Sequence, residues 1–363
     1  MEILIYILVA ILALSVIVFV HELGHFLVAR AFGVKVERFS IGFGKPFYKK
    51  EWAGTEWAFA PILLGGYVKM KGQDDSNPLE KNYEPDSYSA KKPWQRILIL
   101  LAGPLANIIL AFFIYFVIAI NGAPVVAASS YLKPVVGKVM PNSPAQKAGL
   151  KEGDIILEID GKKIKYWYEI GEAIQSAKEP IKIKIKRGDK ILTLYLNSRV
   201  EDRKNEFNET IKRKIIGIAP KVSPNEVIEF NLIEAIKYAF NETAKATFLI
   251  TKGVQKISTG EVDSKNIGGA ITIFDIIMKF AKEGFIYLIF IMALISVNLG
   301  VLNLLPIPAL DGGHIMFNLY ELVTGKELNE KVLYILTLFG WAFLISLMVF
   351  GLYNDINRIW GER

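Results

Sequence analysis

The chain has 363 residues, of which 52% are hydrophobic and 22% charged, with a net charge of +7 and no cysteine. It is too apolar for an ordinary soluble protein and too charged for one made only of membrane helices, so we expect several membrane helices and a water-exposed domain. Without cysteine, disulfide bonds and thiolate metal sites are excluded, and any zinc must be held by histidine and carboxylate. No array of aromatic and basic residues indicates a nucleic acid partner.

The first apolar run, residues 3–20, is long enough to cross a bilayer. A secretory signal peptide is the alternative, but no Lys or Arg precedes the run and no small-residue cleavage site follows it. The helical pattern instead continues through residues 21–30. We therefore predict one membrane helix within residues 1–32.

A histidine pair lies near the far end of this predicted helix. His21 and His25 are four residues apart, about one helical turn, so a helix places both imidazoles on one face. Two histidines at this spacing can hold one zinc ion, with Glu22 beside them as general base. Such a match is often accidental in a soluble helix, but these side chains are costly at membrane depth unless they have a function. The pattern therefore predicts a Zn²⁺ site.

The segment that follows is basic and contains strand-like stretches. From Arg30 to Arg96, twelve Lys and Arg outnumber eight Asp and Glu, so the positive-inside rule places this segment in the cytoplasm and the N-terminus outside. Strand-like patterns occur at residues 34–44, 55–61 and 64–70. The pattern alone favours a surface hairpin over strands that dip into the membrane face. Residues 73–85 have the composition of a mobile linker.

The second predicted span, residues 97–120, contains Pro104 and Asn107. Pro104 should kink the helix. Asn107 is a polar side chain at membrane depth, and two interpretations stay open: a hydrogen bond between helices, or a role near the metal site.

A water-soluble insert follows. The residues Ile181, Ile183 and Ile185 alternate with lysines, which indicates a half-buried strand. A helix is expected near residues 168–177, and further strands at residues 155–160 and 191–196. The run SPAQKAGLKEGDIILEIDGKKI resembles a PDZ domain of the circularly permuted bacterial form, and that resemblance implies binding of extended peptide ends.

The segment after this insert has the pattern of amphipathic helices. Such helices either lie on the membrane surface or pack against the soluble domain.

Two further spans are expected at residues 285–305 and 333–352. The third ends in NLGVLNLLPIPALDGGH, where Pro306 and Pro308 cannot continue a regular helix. We expect the backbone to unwind around Asn303, Asp311 and His314, which is tolerated at membrane depth only inside protein or at a water-filled cavity. With the N-terminus outside, this stretch and the histidine pair both lie at the inner end of their spans. Spacing alone leaves Asp311 and His314 as alternatives for a third zinc ligand.

Taken together, these motifs resemble the site-2 protease family of intramembrane zinc metalloproteases, most closely its bacterial RseP type but with a single PDZ domain. The fold class is then a polytopic α-helical membrane protein with four transmembrane helices, membrane-associated β-hairpin segments and one α+β PDZ domain. The segments are 1–32 (first span), 33–93 (cytoplasmic loop and β segments), 94–121 (second span), 122–222 (extracytoplasmic PDZ domain), 223–284 (amphipathic helices) and 285–363 (third and fourth spans).

The resemblance implies a role for each site residue. It makes His21, His25 and Asp311 the zinc ligands and Glu22 the general base. It assigns substrate binding to Asn303 and to two membrane-associated β segments that would pair with an unwound substrate helix, residues 40–44 with Gly42 and Gly44, and residues 64–70. This reverses the preference for a plain surface hairpin.

The same resemblance implies partners and a location. Substrates are single-span membrane proteins shortened by a first cut, such as anti-sigma factors, or remnant signal peptides. The PDZ domain binds peptide C-termini or other periplasmic ligands. The protein is placed in the bacterial inner membrane as a multi-pass protein, with the PDZ domain periplasmic and the active site near the cytoplasmic side. A non-enzymatic PDZ-bearing adaptor and a metal transporter are the alternatives.

Overall fold

The computed structural model describes residues 2–73, 82–205, 207, 209–223, 227–262, 265 and 267–361. Most of the expected linker, residues 74–81, lies outside this described part. The described elements in chain order are α1 (Glu2–Ala31), β1 (Val36–Phe43), β2 (Tyr48–Trp52), β3 (Thr55–Phe59), β4 (Ile62–Met70), α2 (Pro93–Ile120), β5 (Ala123–Pro124), α3 (Val125–Ala128), β6 (Val136–Val139), α4 (Pro144–Lys147), β7 (Ile155–Ile159), β8 (Lys162–Lys163), α5 (Trp167–Ser176), β9 (Ile181–Arg187), β10 (Lys190–Leu196), β11 (Arg199–Lys204), β12 (Thr210–Ile215), β13 (Ile218–Pro220), β14 (Val227–Ile228), α6 (Leu232–Ser258), α7 (Ala270–Glu283), α8 (Phe285–Asn303), α9 (Asp311–Thr324) and α10 (Glu330–Gly361).

The chain divides into two compact units. The first consists of Met1–Val117 and Ile236–Arg363, and the second of Ile118–Ala235. The first unit holds α1, β1 to β4, most of α2, most of α6, and α7 to α10. It contains both polar stretches singled out in the sequence. The second unit holds β5 to β14 and the short helices between them.

Four described helices, α1, α2, α8 and α10, are long and apolar enough to cross a membrane, and they coincide with the four predicted spans. Large apolar side chains such as Leu8 and Leu12 on α1, and Phe339 on α10, lie on the outer surface of the first unit. Exposed apolar surface of this extent is unfavourable in water and matches the hydrocarbon core of a bilayer.

The basic segment after α1 folds into a four-stranded sheet with the order β2-β3-β1-β4. Strand β1 pairs with β3 in parallel and with β4 in antiparallel fashion. The hairpin expected from the sequence is therefore wrong for β1 and β3, since parallel neighbours need a crossover. That crossover contains β2, which the sequence did not reveal because all five of its residues are exposed.

Non-helical backbone joins α8 to α9 over residues 304–310. The expected unwinding is thus present, but Asn303 still belongs to α8, while Asp311 and His314 form the first turn of α9. A Cβ on Gly312 would lie 2.3 Å from the Leu305 carbonyl oxygen, and one on Gly313 would lie 2.2 Å from that of Ile307. The segment therefore folds back onto α9 so tightly that only glycine fits at these positions.

The second unit is built on the antiparallel sheet β10-β9-β7-β8. The predicted alternation in β9 is confirmed, because Ile181, Ile183 and Ile185 are each fully buried in its core. The helix expected near residues 168–177 is α5, which packs its face with Ile170 and Ile174 on the same core. The charged strands β11 and β12 pair in antiparallel fashion, and most of their residues are exposed.

The segment expected to be amphipathic helices forms α6 and α7. In the first unit, Ile277 of α7 is buried with Ile17 of α1 and Met292 of α8. The start of α7 is capped by another helix, since Asp355 of α10 accepts hydrogen bonds from the backbone N–H groups of Gly269 and Thr272 at 2.9 and 3.1 Å. At least α7 therefore packs into the helical unit.

Candidate metal centre

Two distant parts of the sequence meet at one point in the first unit. His21 and His25 project from one face of α1, and Asp311 approaches them from the first turn of α9. One ligand atom from each of the three residues lies within 4.8 Å of the others. The two histidines are buried and the aspartate side chain is only 17% exposed.

The distances suit a tetrahedral metal ion. His21 Nε2 lies 3.2 Å from His25 Nε2, and Asp311 Oδ2 lies 3.2 Å from His21 Nε2 and 3.5 Å from His25 Nε2. Ligand atoms around a tetrahedral zinc at ~2.0–2.1 Å are about 3.3 Å apart. The three ligands thus stand where one zinc ion can bind them all and keep a fourth position for water or substrate.

The carboxylate has no competing partner among the described residues. Asp311 Oδ2 is buried and makes no hydrogen bond there, although both ring nitrogens are close. A buried carboxylate oxygen in this state is unfavourable unless a cation satisfies it. Asp311 also begins α9, where the positive end of the helix dipole stabilises its negative charge.

Helix α2 supports the histidines along one face, at residues 99, 103 and 107. His25 Nδ1 lies 2.8 Å from the Ile99 carbonyl oxygen, to which it can donate, and this leaves Nε2 free to bind metal. A Cβ on Gly103 would lie 2.2 Å from His25 Nε2, so only glycine leaves room for the ring. Asn107 Nδ2 lies 3.3 Å from His21 Nδ1. Asn107, for which the sequence left two roles open, therefore adjoins the site.

Glu22 and Asn303 also lie at this centre. A Cβ on Gly66 of β4 would lie 3.7 Å from Glu22 Cγ, so Glu22 approaches β4 where that strand has no side chain. Asn303 Nδ2 lies 3.2 Å from His21 Nε2. Asn303 is thus beside the candidate ligand His21, and Glu22 follows His21 on α1 and approaches β4.

A cavity of about 850 Å³ opens onto the centre. Its walls are the β4 strand from Gly66 to Lys69, the start of α9 with Asp311 and His314, and α10. On α10, Thr337 lines the cavity with a buried hydroxyl that has no hydrogen-bond partner in the described part of the chain. The cavity is therefore lined both by β4 and by the candidate metal ligand Asp311.

The structure also separates residues that the sequence grouped together. His314 lines the cavity but is not in the ligand cluster, so Asp311 is the third ligand candidate. Gly42 lies in β1, which has neighbours on both sides, and a Cβ there would lie 2.5 Å from the Ala60 carbonyl oxygen. An extended substrate cannot pair directly with β1 at Gly42. Strand β4, which holds the other expected pairing segment, residues 64–70, is one of the two edges of the described sheet, and β2 is the other.

Two histidines, one carboxylate and an adjacent glutamate in a bundle of apolar helices define a class of protein, a membrane-embedded hydrolase with a catalytic metal site. Comparisons with known proteins agree with this class. The family model for Peptidase family M50 matches residues 9–347. The chain belongs to this family, the site-2 proteases, and is a zinc metalloprotease.

Two relatives illustrate the similarity. A Campylobacter jejuni protein named "Putative zinc metalloprotease Cj1068" is 45% identical over 355 residues, which cover 98% of this chain and 94% of the relative. The "Regulator of sigma E protease" of Haemophilus influenzae is 32% identical, over 96% of this chain and 98% of the relative.

Proposed function

We propose that this protein is an intramembrane protease that cleaves single-span membrane proteins after a first cut has shortened them. The observation that carries the proposal is the convergence of His21, His25 and Asp311, because Asp311 also lines a cavity whose walls include the edge strand β4 and the apolar helix α10. Anti-sigma factors are candidate substrates, in line with the name of the Haemophilus relative, and remnant signal peptides are a second group.

The proposed chemistry is hydrolysis of a peptide bond. His21, His25 and Asp311 hold the metal. A bound zinc ion polarises the scissile carbonyl and makes a water molecule more acidic. Glu22 takes the proton from the attacking water and passes it to the leaving amine. Asn303, next to His21, donates a hydrogen bond to the substrate backbone and fixes the scissile bond against the attacking water.

The proposal includes a way for the cavity to hold a helical substrate open. A transmembrane helix satisfies its own backbone groups and shields its carbonyls, so it must unwind before cleavage. In our proposal the unwound segment lies along β4 and pairs with its backbone, which replaces the hydrogen bonds that the substrate helix loses. Gly66 leaves room on this strand for Glu22 to approach the scissile bond.

The second unit is proposed to be a PDZ domain outside the cytoplasm. The support is its run from Ser143 to Ile164, its small antiparallel sheet and the helix α5 packed on that sheet. In this position it would bind peptide C-termini or other periplasmic ligands and exclude substrates that still carry a bulky outer domain. The proposed location is the bacterial inner membrane, with the metal centre near the cytoplasmic face because residues 30–96 are rich in Lys and Arg.

The test uses the full chain in proteoliposomes with two versions of a single-span substrate, one with a large folded outer domain and one with a short outer tail. We expect cleavage of the short version only, at a peptide bond inside the span, and loss of cleavage when a zinc chelator is added. Product masses locate the bond. Cleavage confined to soluble segments, or equal cleavage of both versions, would contradict the proposal.

A further inference from the structure

Asn107 is fully buried in α2, and its two side-chain polar atoms are in unequal situations. Nδ2 lies 3.3 Å from His21 Nδ1, whereas Oδ1 makes no hydrogen bond within the described part of the chain. A buried amide oxygen without a donor is unfavourable. The orientation of an asparagine amide is assigned from its hydrogen-bond network, and a half-turn about the last side-chain bond exchanges the two atoms.

The chemistry of His21 decides which orientation a metal requires. Nε2 of His21 faces His25 and Asp311, so it is the ring nitrogen that binds the metal with its lone pair. Nδ1 then carries the ring proton and needs an acceptor. An amide nitrogen cannot accept, but Oδ1 in the exchanged orientation can. The metal-bound ring therefore requires the oxygen of Asn107, the atom that is otherwise left without a donor.

The same arrangement already exists for the other histidine. His25 Nδ1 is 2.8 Å from the Ile99 carbonyl oxygen, two turns of α2 before Asn107. One face of α2 would then supply one acceptor to each ligand histidine, with Gly103 between them to leave room for the His25 ring.

We propose that Asn107 is a positioning residue of the zinc site. Its side-chain oxygen accepts a hydrogen bond from Nδ1–H of His21 and so keeps Nε2 unprotonated and aimed at the metal. This inference rests on the proposed ligand set of His21, His25 and Asp311.

A purely structural role for this side chain can be separated from the proposed one. The backbone carbonyl of Asn107 accepts a hydrogen bond from Ser296 Oγ of α8 at 2.9 Å, and that bond ties the two helices together at the same residue. It does not involve the amide. Ser296→Ala removes this tie and keeps the amide, whereas Asn107→Leu keeps the tie and removes the amide.

The test measures zinc affinity of the full chain in detergent, by competition with a chelating indicator, alongside the thermal unfolding temperature of the metal-free protein. We expect Asn107→Leu to bind zinc about 10- to 100-fold more weakly, and Asn107→Asp, which keeps an acceptor oxygen, to remain within about threefold of the unmodified chain. Ser296→Ala should lower the unfolding temperature and leave zinc affinity unchanged. Asn107→Ala replaces Asn107→Leu if the larger apolar side chain prevents folding.

The outcomes are distinguishable. The positioning role would be overturned if Asn107→Leu or Asn107→Ala bound zinc as tightly as the unmodified chain. It would also be overturned if Asn107→Asp lost as much zinc affinity as Asn107→Leu. A loss in Ser296→Ala as large as that in Asn107→Leu would overturn it too, because helix packing would then explain both. If the unmodified chain binds no zinc while Asp311→Ala behaves in the same way, the ligand set itself fails.

Discussion

Asp154 in the second unit and Asp311 in the first unit are two aspartates with opposite surroundings. Asp154 in the second unit is fully buried, and Arg187 donates to both of its oxygens at 2.7 Å while the Lys151 backbone N–H donates to one at 2.8 Å. Asp311 in the first unit has a buried oxygen with no hydrogen bond from the described residues, and it faces two imidazoles instead. A carboxylate with all its hydrogen bonds made within the protein stabilises the fold. A carboxylate that lacks them beside two imidazoles is instead available to bind a cation.

Removal of the two carboxylates should have opposite consequences. Asp311→Ala should lose zinc and lower proteolysis by at least about 1,000-fold, about 4 kcal/mol of transition-state stabilisation, with little change in folding. Asp154→Ala should keep zinc but destabilise the second unit by about 3 kcal/mol, because Arg187 loses its partner. Zinc analysis, cleavage assays and amide exchange in β9 measure these effects. Retained zinc in Asp311→Ala would show that Asp311 is not a zinc ligand.

A glycine pair tests the geometry around the ligands. Gly103→Ala places a Cβ 2.2 Å from His25 Nε2, so the ring must move and zinc affinity should fall by about 10- to 100-fold. The control is Gly171→Ala in α5, where a Cβ meets no atom within 4 Å. That change should leave zinc binding intact and stabilise its helix by up to about 1 kcal/mol. Equal zinc affinities in the two variants would show that His25 is not held as described.

Acid should affect the second unit through Asp154. Burial raises the pKa of Asp154, but the Arg187 guanidinium and the Lys151 N–H outweigh it and hold that pKa below its usual value. The pair therefore stabilises the fold above the unfolded-state pKa of about 3.9, and the stabilisation is lost as pH falls through the lower folded-state pKa. Amide exchange in β9, corrected for intrinsic rates, should show this loss below about pH 4. It should disappear in Asp154→Asn and persist in the exposed control Asp189→Asn.

The smallest effect is expected at His314, which lines the cavity and lies outside the ligand cluster. His314→Ala should keep full zinc occupancy and change kcat/KM by only about 3- to 10-fold, since it alters the cavity wall and not the ligands. His25→Ala is the matched comparison, with zinc and activity both lost. Zinc loss in His314→Ala would return this histidine to the list of ligand candidates.

The membrane helices and the strand β9 could be predicted from the sequence, because each follows from a local pattern of apolar residues. The four spans follow from unbroken apolar runs, and β9 follows from the alternation of Ile181, Ile183 and Ile185 with lysine. Strand β2 was missed because its exposed residues show no such alternation, and the charged strands β11 and β12 were missed for the same reason. Pairing of a parallel strand is set by its distant neighbour, so β1 could not be placed at the centre of its sheet from sequence alone.

Only part of the candidate site could be predicted from the sequence. Spacing identified His21, Glu22 and His25, since one helix fixes their mutual positions. Asp311 and His314 share the first turn of α9, and the choice between them depends on how the glycines at 312 and 313 pack against residues 304–310. The sequence did not show whether Asn107 faces the histidines, because the pattern of a uniformly apolar helix does not indicate which of its faces meets α1.

The central claim is that one zinc ion at His21, His25 and Asp311 works with Glu22 to cut a peptide bond within the membrane. The most direct measurement is zinc content together with cleavage of a single-span substrate in proteoliposomes, for the unmodified chain and for Glu22→Gln. We expect one zinc per chain in both proteins and cleavage by the unmodified chain alone. Full cleavage by Glu22→Gln, or cleavage by an unmodified chain that contains no zinc, would contradict the claim.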